Sequence, residues 1–317
     1  MLKDVNIYVL RQIVLSVCLV VAIYACSSDD EGSNNNITPP MPSISTEKLQ
    51  IHISSKLETR ATDNAFETGD KIGIFVVNHN TDGTATTLKT RGNYIDNCMF
   101  SLQDSWASAI PQYWKDNSTH ADFYMYYPYT SEIANVETFP WSIKEDQSSE
   151  ANYKASELLI GKNLDVAPSE DDVNISAKHV MAQVVITLIA NKGFTSTDLA
   201  NTDINVSINN VKTQAIVNLT TSIVTAIGIN TNVIPHKEGD IYKALIVPQK
   251  LNSGNIITVA VNNMMFYLSK TSLLSSLEAG HRYQFTVTLS KTSSGMNADI
   301  VKWKDDGNDY GGIAEQE

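Results

Sequence analysis

The sequence predicts an all-β protein with two sandwich domains in tandem. Runs of alternating or continuous apolar residues recur about every 8–15 residues, and Gly, Pro, Asn and Asp separate them. Patterns of an amphipathic helix are nearly absent, and strands at this spacing are typical of β-sandwiches. Because one domain usually takes about 100–200 residues, a chain of 317 residues predicts two of them.

Composition narrows the range of partners. The chain is 42% hydrophobic and carries a formal net charge of −12. The hydrophobic share is enough for a sizeable core. The negative charge argues against nucleic acid as a partner and against binding anionic lipid through charge, since both need an excess of Lys and Arg.

Residues 1–25 predict a lipoprotein signal peptide. Two basic residues precede an apolar run of eleven residues, Ile13–Ile23, which is too short to span a bilayer. The run leads to Ala25 and Cys26, which resemble a lipobox whose cysteine becomes lipidated. The alternative is ordinary cleavage after Ala25 that leaves Cys26 unmodified. The polar stretch behind Cys26 favours the lipidated form, because a lipid anchor needs a flexible tether.

Residues 26–46 are predicted to be a disordered tether rich in Ser, Asn and Pro. Asp29-Asp30-Glu31 are either part of this solvated tether or, by resemblance, the surface-export signal of lipoproteins in Gram-negative anaerobes. Of the three cysteines, only Cys98 lies beyond the tether, so no internal disulfide is expected. Cys98 is interpreted as a buried small apolar residue.

The stretch Lys48–Ala61 opens the folded part and is predicted to begin as a strand. Leu49, Ile51 and Ile53 face one way, whereas the polar residues between them face the other. A linker with the basic site Arg60-Ala61 follows. A cut at this site would separate the strand from the body behind it.

The predicted N-terminal domain spans residues 47–191. After the first strand its segments are Ile72–Val77 behind a turn at Gly69-Asp70, a strand within Asn93–Leu102, the aromatic strand Asp122–Pro128, the short apolar segment Lys154–Gly161 and Val180–Ile189. The alternating aromatics of Asp122–Pro128 predict a core strand with Tyr hydroxyls satisfied at its edge, rather than a sugar-stacking platform. The acidic loop Asp165–Asp172 lacks the spacing of a calcium loop and is interpreted as solvated.

The predicted C-terminal domain spans residues 192–317, because a strong strand ends in turn residues at Asn191-Lys192-Gly193. Its strand segments are Ile204–Ile208, Ala215–Leu219, Ile241–Val247, Ile256–Val261, Met264–Leu268, His281–Leu289 and Ile300–Trp303. The tail after Trp303 contains Gly and Asn and few large apolar residues, so it is predicted to be a poor strand.

No catalytic or metal-binding motif is present in the sequence. The chain has no HExxH pair, no CxxC pair, no G-x-S-x-G elbow and no Gly-rich phosphate loop. His179 is the histidine that most merits examination, and a hydrogen-bonded structural role is expected for it. We therefore expect no cofactor, no metal and no enzymatic activity.

Several segments, taken in order, resemble the fimbrillin family, the type V pilins of Gram-negative gut and oral anaerobes. The segments that carry the resemblance are FETGDKIGIF (66–75), Tyr113-Trp114, Tyr126–Tyr129, SELL (156–159) with Gly161, KHVMAQVVI (178–186), LIVPQ (245–249), LEAGHRYQFTVTL (277–289), and Ile300 with Trp303. Each piece is short, but their order and spacing across residues 47–303 are specific to the family.

The resemblance implies two transthyretin-like, Greek-key sandwich domains and a subunit exported as a lipidated precursor. In that family an arginine-directed protease cuts after an Arg that follows the first strand, here matched by Arg60 with Ala61 behind it. The strand then leaves, and its groove accepts a strand from the next subunit. Leu49, Ile51 and Ile53 would fill the groove before the cut. The alternative, open on sequence alone, is that Arg60 is an ordinary exposed linker arginine.

The implied partners are other fimbrial subunits, in a homopolymer or heteropolymer, and the outer membrane through the lipid on Cys26 before processing. A host or bacterial surface ligand is a further expectation, since such fibres serve adhesion and biofilm contact. The donor strand is either Ala298–Trp303 or absent. In the second case the protein is an end or minor subunit, at the tip or the base of the pilus.

Two alternatives remain open on the sequence. A monomeric, glycan-binding surface lipoprotein would use exposed aromatics such as Trp106, Trp114 or Trp141 for stacking, whereas burial of these residues favours the pilin. A secreted β-sandwich hydrolase would need clustered carboxylates with raised pKa values in a cleft.

Overall fold

The computed structural model describes residues 48–57, 65–191, 193–262, 264–270, 274–290, 296–300 and 310–314, the last two ranges and Asn201 by their backbone only. This part of the chain folds into twenty strands and two short helices, which confirms the all-β class.

The helices are α1 (Glu150–Lys154) and α2 (Ser196–Asn201). The strands are β1 (Ile53–Leu57), β2 (Lys71–Asn78), β3 (Ile95–Leu102), β4 (Trp106–Ser108), β5 (Ala121–Tyr127), β6 (Phe139–Ser142), β7 (Leu159–Val166), β8 (Val173–His179), β9 (Ala182–Ala190), β10 (Ile204–Asn218), β11 (Ile223–Val233), β12 (His236–Glu238), β13 (Ile241–Ile246), β14 (Gln249–Lys250), β15 (Asn255–Val261), β16 (Met264–Ser269), β17 (Ser276–Leu277), β18 (Arg282–Leu289), β19 (Met296–Ile300) and β20 (Tyr310–Ala314).

Seven strands close into a barrel in the order β1-β4-β3-β2-β5-β7-β8. Neighbouring strands are antiparallel except β1 and β8, which run parallel and complete the circle. The barrel interior holds one hydrophobic core, to which β5 contributes Phe123 and Met125. Tyr124 and Tyr126 on the opposite face of β5 belong to a second core. Because β5 is buried on both faces, its sequence is an almost continuous apolar run.

The second core is enclosed by two further sheets. One has the order β11-β10-β15-β16, with β6 paired to β10, and the other has the order β12-β13-β9-β18. Their inward side chains, such as Val217, Val259, Ile186 and Phe285, join a single hydrophobic cluster. The second core therefore binds the later strands to the outer face of β5.

Four segments differ from their predicted form. The apolar stretch predicted as Val180–Ile189 begins as β9 only at Ala182, with two residues between it and the end of β8, and β9 pairs with β13 and β18 rather than with a barrel strand. The segments Ile204–Ile208 and Ala215–Leu219 belong to one strand of 15 residues, β10, apart from Leu219. The tail was expected to be a poor strand, but Tyr310–Ala314 forms β20, antiparallel to β19. The division into domains 47–191 and 192–317 stays a prediction.

A buried ion pair fastens β2, β5 and β7 at one end of the barrel. Nε2 of His79, just beyond β2, lies 2.8 Å from Oδ1 of Asp122 on β5, and Nδ1 lies 3.2 Å from the carbonyl oxygen of Gly83. The same carboxylate oxygen accepts a hydrogen bond of 2.8 Å from the backbone N–H of Asp165 on β7. Both ring nitrogens of His79 face acceptors, so the protonated imidazolium satisfies them best. The hydrogen bond to Asp122 raises the pKa of His79 above its ordinary value of 6.5, against the opposing effect of burial.

This pair predicts a stability difference that depends on pH. A raised pKa contributes stability that is fully present below 6.5 and is lost as pH rises through the folded-state value. The loss of Tm caused by His79→Gln should therefore be largest at about pH 5.5 and should shrink towards about pH 9. Thermal unfolding followed by circular dichroism across this range measures it. The exposed His52 provides a control, since His52→Gln should have a small effect at every pH. A loss of Tm for His79→Gln that is independent of pH would contradict the assignment.

Candidate functional site

The first strand occupies a gap between two other strands, and its backbone bonds to both sides. Along β8 it pairs in parallel from Ile53 opposite Val173 to Leu57 opposite Ala177, and on the other side Ile53 pairs with Trp106 of β4. The contacts continue before β1, because Ile51 N–H donates to Gln112 O at 2.8 Å. Leu49 O accepts from Trp114 N–H at 2.9 Å, and His52 O accepts from Val173 N–H at 2.8 Å. Residues 49–57 therefore lie along the groove as one extended segment.

Side chains of this segment alternate between the barrel core and solvent. Ile51 and Ile53 are 3% and 4% exposed, whereas Gln50 and His52 are exposed. Leu49 and Leu57 are partly buried and pack against the same core. The predicted groove-filling residues Leu49, Ile51 and Ile53 thus share one face of the segment. Their role as a removable plug stays a prediction.

The groove that receives these side chains is built from the six other barrel strands. Its buried members include Ile72, Ile74, Phe100, Trp106, Phe123, Met125, Leu159, Val173, Ile175 and Ala177. The core is lined by aliphatic and aromatic side chains on every side, so a strand seated here needs apolar residues at alternate positions.

Ser55 is a residue of the groove that the sequence interpretation did not include. The alternation that buries Ile51 and Ile53 also turns Ser55 inward, where it is half-buried. Its Oγ lies 3.1 Å from the carbonyl oxygen of Ile175 and 3.3 Å from Sδ of Met125. Extending the period-two pattern by one step would have found it, but a serine does not mark a core position by its composition.

The chain is anchored again soon after the linker that contains Arg60. The ring of Phe66 packs edge to face on Trp106 and Tyr127, with centroids 5.1 and 5.6 Å apart. The carboxylate of Glu67 lies 3.1 Å from Nζ of Lys154 on α1. The body behind the linker is thus fixed independently of β1. Cys26, Arg60 and Ala61 lie outside the described residues, so lipidation and processing stay predictions.

The aromatic residues of the N-terminal half are mostly core residues. Trp106 and Trp114 are 8% and 3% exposed, and Nε1–H of Trp114 donates to Ser169 O at 3.2 Å. Trp141 is partly buried against the second core. The hydroxyl of Tyr126 donates towards Asn97 Oδ1 at 2.7 Å or Thr130 O at 2.9 Å, and burial raises its pKa to about 12. Burial of Trp106 and Trp114 removes two of the three tryptophans that a glycan-stacking platform would use.

The carboxyl groups with a shifted pKa do not have the character that a hydrolase needs. Hydrogen bonds from Thr84, Thr119 and Ser148 lower the pKa of Asp82, Asp116 and Asp146 respectively, and Lys154 lowers that of Glu150. These carboxyls are exposed, and a glycosidase acid would instead have a raised pKa.

The other two titratable residues considered from the sequence are His179 and Cys98. Nδ1 of His179 lies 2.9 Å from Oε2 of Glu157, and both side chains are largely buried. Desolvation raises the pKa of the Cys98 thiol, the opposite of what an activated thiolate requires. Within the described ranges, no three His, Cys, Asp or Glu side chains are grouped so as to hold a metal ion. In the same part of the chain, no helix is long and apolar enough to cross a membrane.

Solved structures of two other proteins share this fold. A proposed cell adhesion protein of Bacteroides uniformis matches with a TM-score of 0.61 at 21% identity, covering 84% of this chain and 98% of its own. A proposed cell adhesion protein of Bacteroides ovatus matches with a TM-score of 0.64 at 16% identity, covering 85% and 98%. At these identities the likeness establishes the fold alone.

The family follows from sequence. The model of the fimbrillin-like family matches residues 59–303, and the chain belongs to this family, as the quoted motifs predicted. The matched range begins after β1, so the first strand lies outside it.

Two relatives are fimbrial by name. The proposed fimbrium subunit Fim1C of Bacteroides uniformis is 25% identical over 304 residues, which are 92% of this chain and 95% of the relative. The proposed fimbrium tip subunit Fim1C of Bacteroides ovatus is 26% identical over 198 residues, or 57% of this chain. The match covers 35% of that longer protein.

The burial of β1 predicts unequal effects of substitutions at neighbouring positions. Ile53→Ala removes methyl groups from a closed core and should lower the free energy of unfolding by about 2–4 kcal/mol. His52→Ala, on the exposed side of the same strand, should change it by less than about 0.5 kcal/mol. Urea unfolding followed by tryptophan fluorescence measures both. Equal effects at the two positions would show that Ile53 does not fill the groove.

Proposed function

We propose that this protein is a structural subunit of a type V pilus, activated by cleavage after Arg60 and assembled by donor-strand exchange. The observation that carries the proposal is the seating of β1, a short strand that fills a groove in the barrel and ends three residues before Arg60 in the sequence. Membership of the fimbrillin-like family supports a fimbrial role.

Removal of β1 would leave unpaired backbone groups and exposed apolar pockets in the barrel. The edges of β8 and β4 would lose their backbone hydrogen bonds to β1. The places of Ile51 and Ile53 would become apolar pockets open to water. The strand would then lose the stabilisation that burial of each side chain gives, about 1.5–3 kcal/mol. An incoming strand with alternating apolar residues satisfies both groups at once, which is the basis of β-augmentation.

The proposal also includes the localisation of the protein. It is exported as a lipoprotein, anchored in the outer membrane by a lipid such as palmitate on Cys26, and exposed at the cell surface before it enters a fimbrium. Its partners are other fimbrial subunits and a surface ligand for adhesion or biofilm contact. Its net charge of −12 does not suit nucleic acid. The two transthyretin-like sandwiches and the absence of enzymatic activity are part of the same proposal.

We favour a role for this protein as a tip or minor subunit of the pilus. The tail after Trp303 has few large apolar residues with which to fill the groove of another subunit, although part of it forms β20. One relative is named as a tip subunit, which is a statement about that protein.

Limited trypsin digestion of the precursor tests the processing step. The expected result is a cut after Arg60 and release of the fragment from Cys26 to Arg60. Oligomers should then appear in size-exclusion chromatography when other fimbrial subunits are added, because a tip subunit needs a donor strand from a partner. Arg60→Ala should abolish the oligomers. The matched control is Arg91→Ala, at an exposed position outside the strands, which should leave them unchanged. Cleaved protein that stays monomeric, together with normal surface filaments from Arg60→Ala, would refute strand exchange for this chain.

Lipidation is tested separately by Cys26→Ala. Cells fed an alkyne-labelled palmitate should label the parent chain, and the label should be lost in Cys26→Ala because the thiol that carries the lipid is gone. Cys98→Ala should keep the label. A labelled Cys26→Ala protein would place the lipid elsewhere, and an unlabelled parent chain would indicate ordinary signal cleavage after Ala25.

A further inference from the structure

Ser55 is a polar residue in an otherwise apolar inward row. The inward positions of the segment are Leu49, Ile51, Ile53, Ser55 and Leu57, and the other four side chains pack in the barrel core. The hydroxyl of Ser55 reaches the carbonyl oxygen of Ile175 at 3.1 Å, so its polarity is satisfied within the groove. The question is why a small residue occupies this position.

The barrel is closely filled beside Ser55. Its neighbours Ile175 and Met125 are 1% and 2% exposed, and Sδ of Met125 lies 3.3 Å from the Ser55 hydroxyl. On the far side of Ile175, β7 carries Gly161, where an added Cβ would lie 2.8 Å from both Ile175 Cγ2 and Ser176 O. Ile175 therefore cannot move towards β7 to make room. A side chain several methylenes larger than serine would overpack this layer.

We propose that this position of the groove accepts only a small side chain, so that it selects the strand that replaces β1. The inference rests on the proposed function and specifies its partner. The incoming strand is a segment of another subunit that carries large apolar residues at the places of Leu49, Ile51, Ile53 and Leu57. It carries Ser, Ala or Gly at the place of Ser55. The small residue also fixes the register, because a slip of two residues puts a large side chain into the filled layer.

The first test uses the intact chain and does not depend on strand exchange. Ser55→Leu should lower Tm by roughly 5 °C, because overpacking forces its neighbours apart. Ser55→Ala should stay within about 2 °C of the parent, since it fits the space and loses only one hydrogen bond. The adjacent serine is the matched control. Ser54 is half-buried like Ser55, but strand alternation places it on the opposite face from Ile53 and Ser55, so Ser54→Leu should have little effect. If Ser55→Leu is as stable as Ser55→Ala, the size limit does not exist and the inference is overturned.

The second test uses precursor cleaved after Arg60. Synthetic peptides with the sequence of residues 48–58, KLQIHISSKLE, carry either the parent sequence, Ser55→Ala, Ser55→Leu or Ser54→Leu. Each competes with a fluorescently labelled parent peptide, followed by anisotropy. The parent, Ser55→Ala and Ser54→Leu peptides should compete similarly, and Ser55→Leu should be weaker by about tenfold or more.

The two tests separate the two ways in which the idea could fail. Equal competition by the Ser55→Leu and parent peptides overturns selection at this position, whatever the stability results. If the stability order is as expected but no peptide, including the parent, enters the cleaved protein, strand exchange itself is refuted. The size limit at Ser55 then stands as a property of the intact fold only.

Discussion

The pairing of β1 with β8 and β4 is the interaction on which the barrel depends. The other six barrel strands form a continuous antiparallel series, and only β1 connects its two ends. Without that strand the backbone of β8 would be an open sheet edge, with N–H and C=O groups unpaired beside an apolar interior. One short segment therefore pairs the backbone at both ends of the series and covers the apolar interior.

The groove that holds β1 is separate from the second hydrophobic core. β5 divides the two hydrophobic cores, with Phe123 and Met125 on the barrel side and Tyr124 and Tyr126 on the other. The side chains of Ile51 and Ile53 belong to the barrel core alone. The sheets that contain β9 and β10 hold the second core closed without any contribution from β1. The groove is thus a local feature of a body that has its own source of stability.

Sequence patterns predicted the all-β class and the facing of the first strand, because period-two alternation at Leu49, Ile51 and Ile53 reports burial directly. They did not find the start of β9 at Ala182, since Val180 and Met181 are as apolar as the strand that follows them. They missed β11, whose Thr and Asn residues and exposed Ile229 suit a half-solvated strand without marking it. Ser55 was missed because a serine does not mark an inward position by its composition, and its partners Met125 and Ile175 lie far away in the chain.

The parallel seating of β1 also has a mechanical consequence. A strand held along its length between two neighbours, and pulled along its own axis, has all its hydrogen bonds strained in shear at the same moment. A strand peeled sideways from one end would break them one after another at a much lower force. A subunit joined to its neighbour through a segment seated like β1 would therefore form a link that bears tension along the fibre.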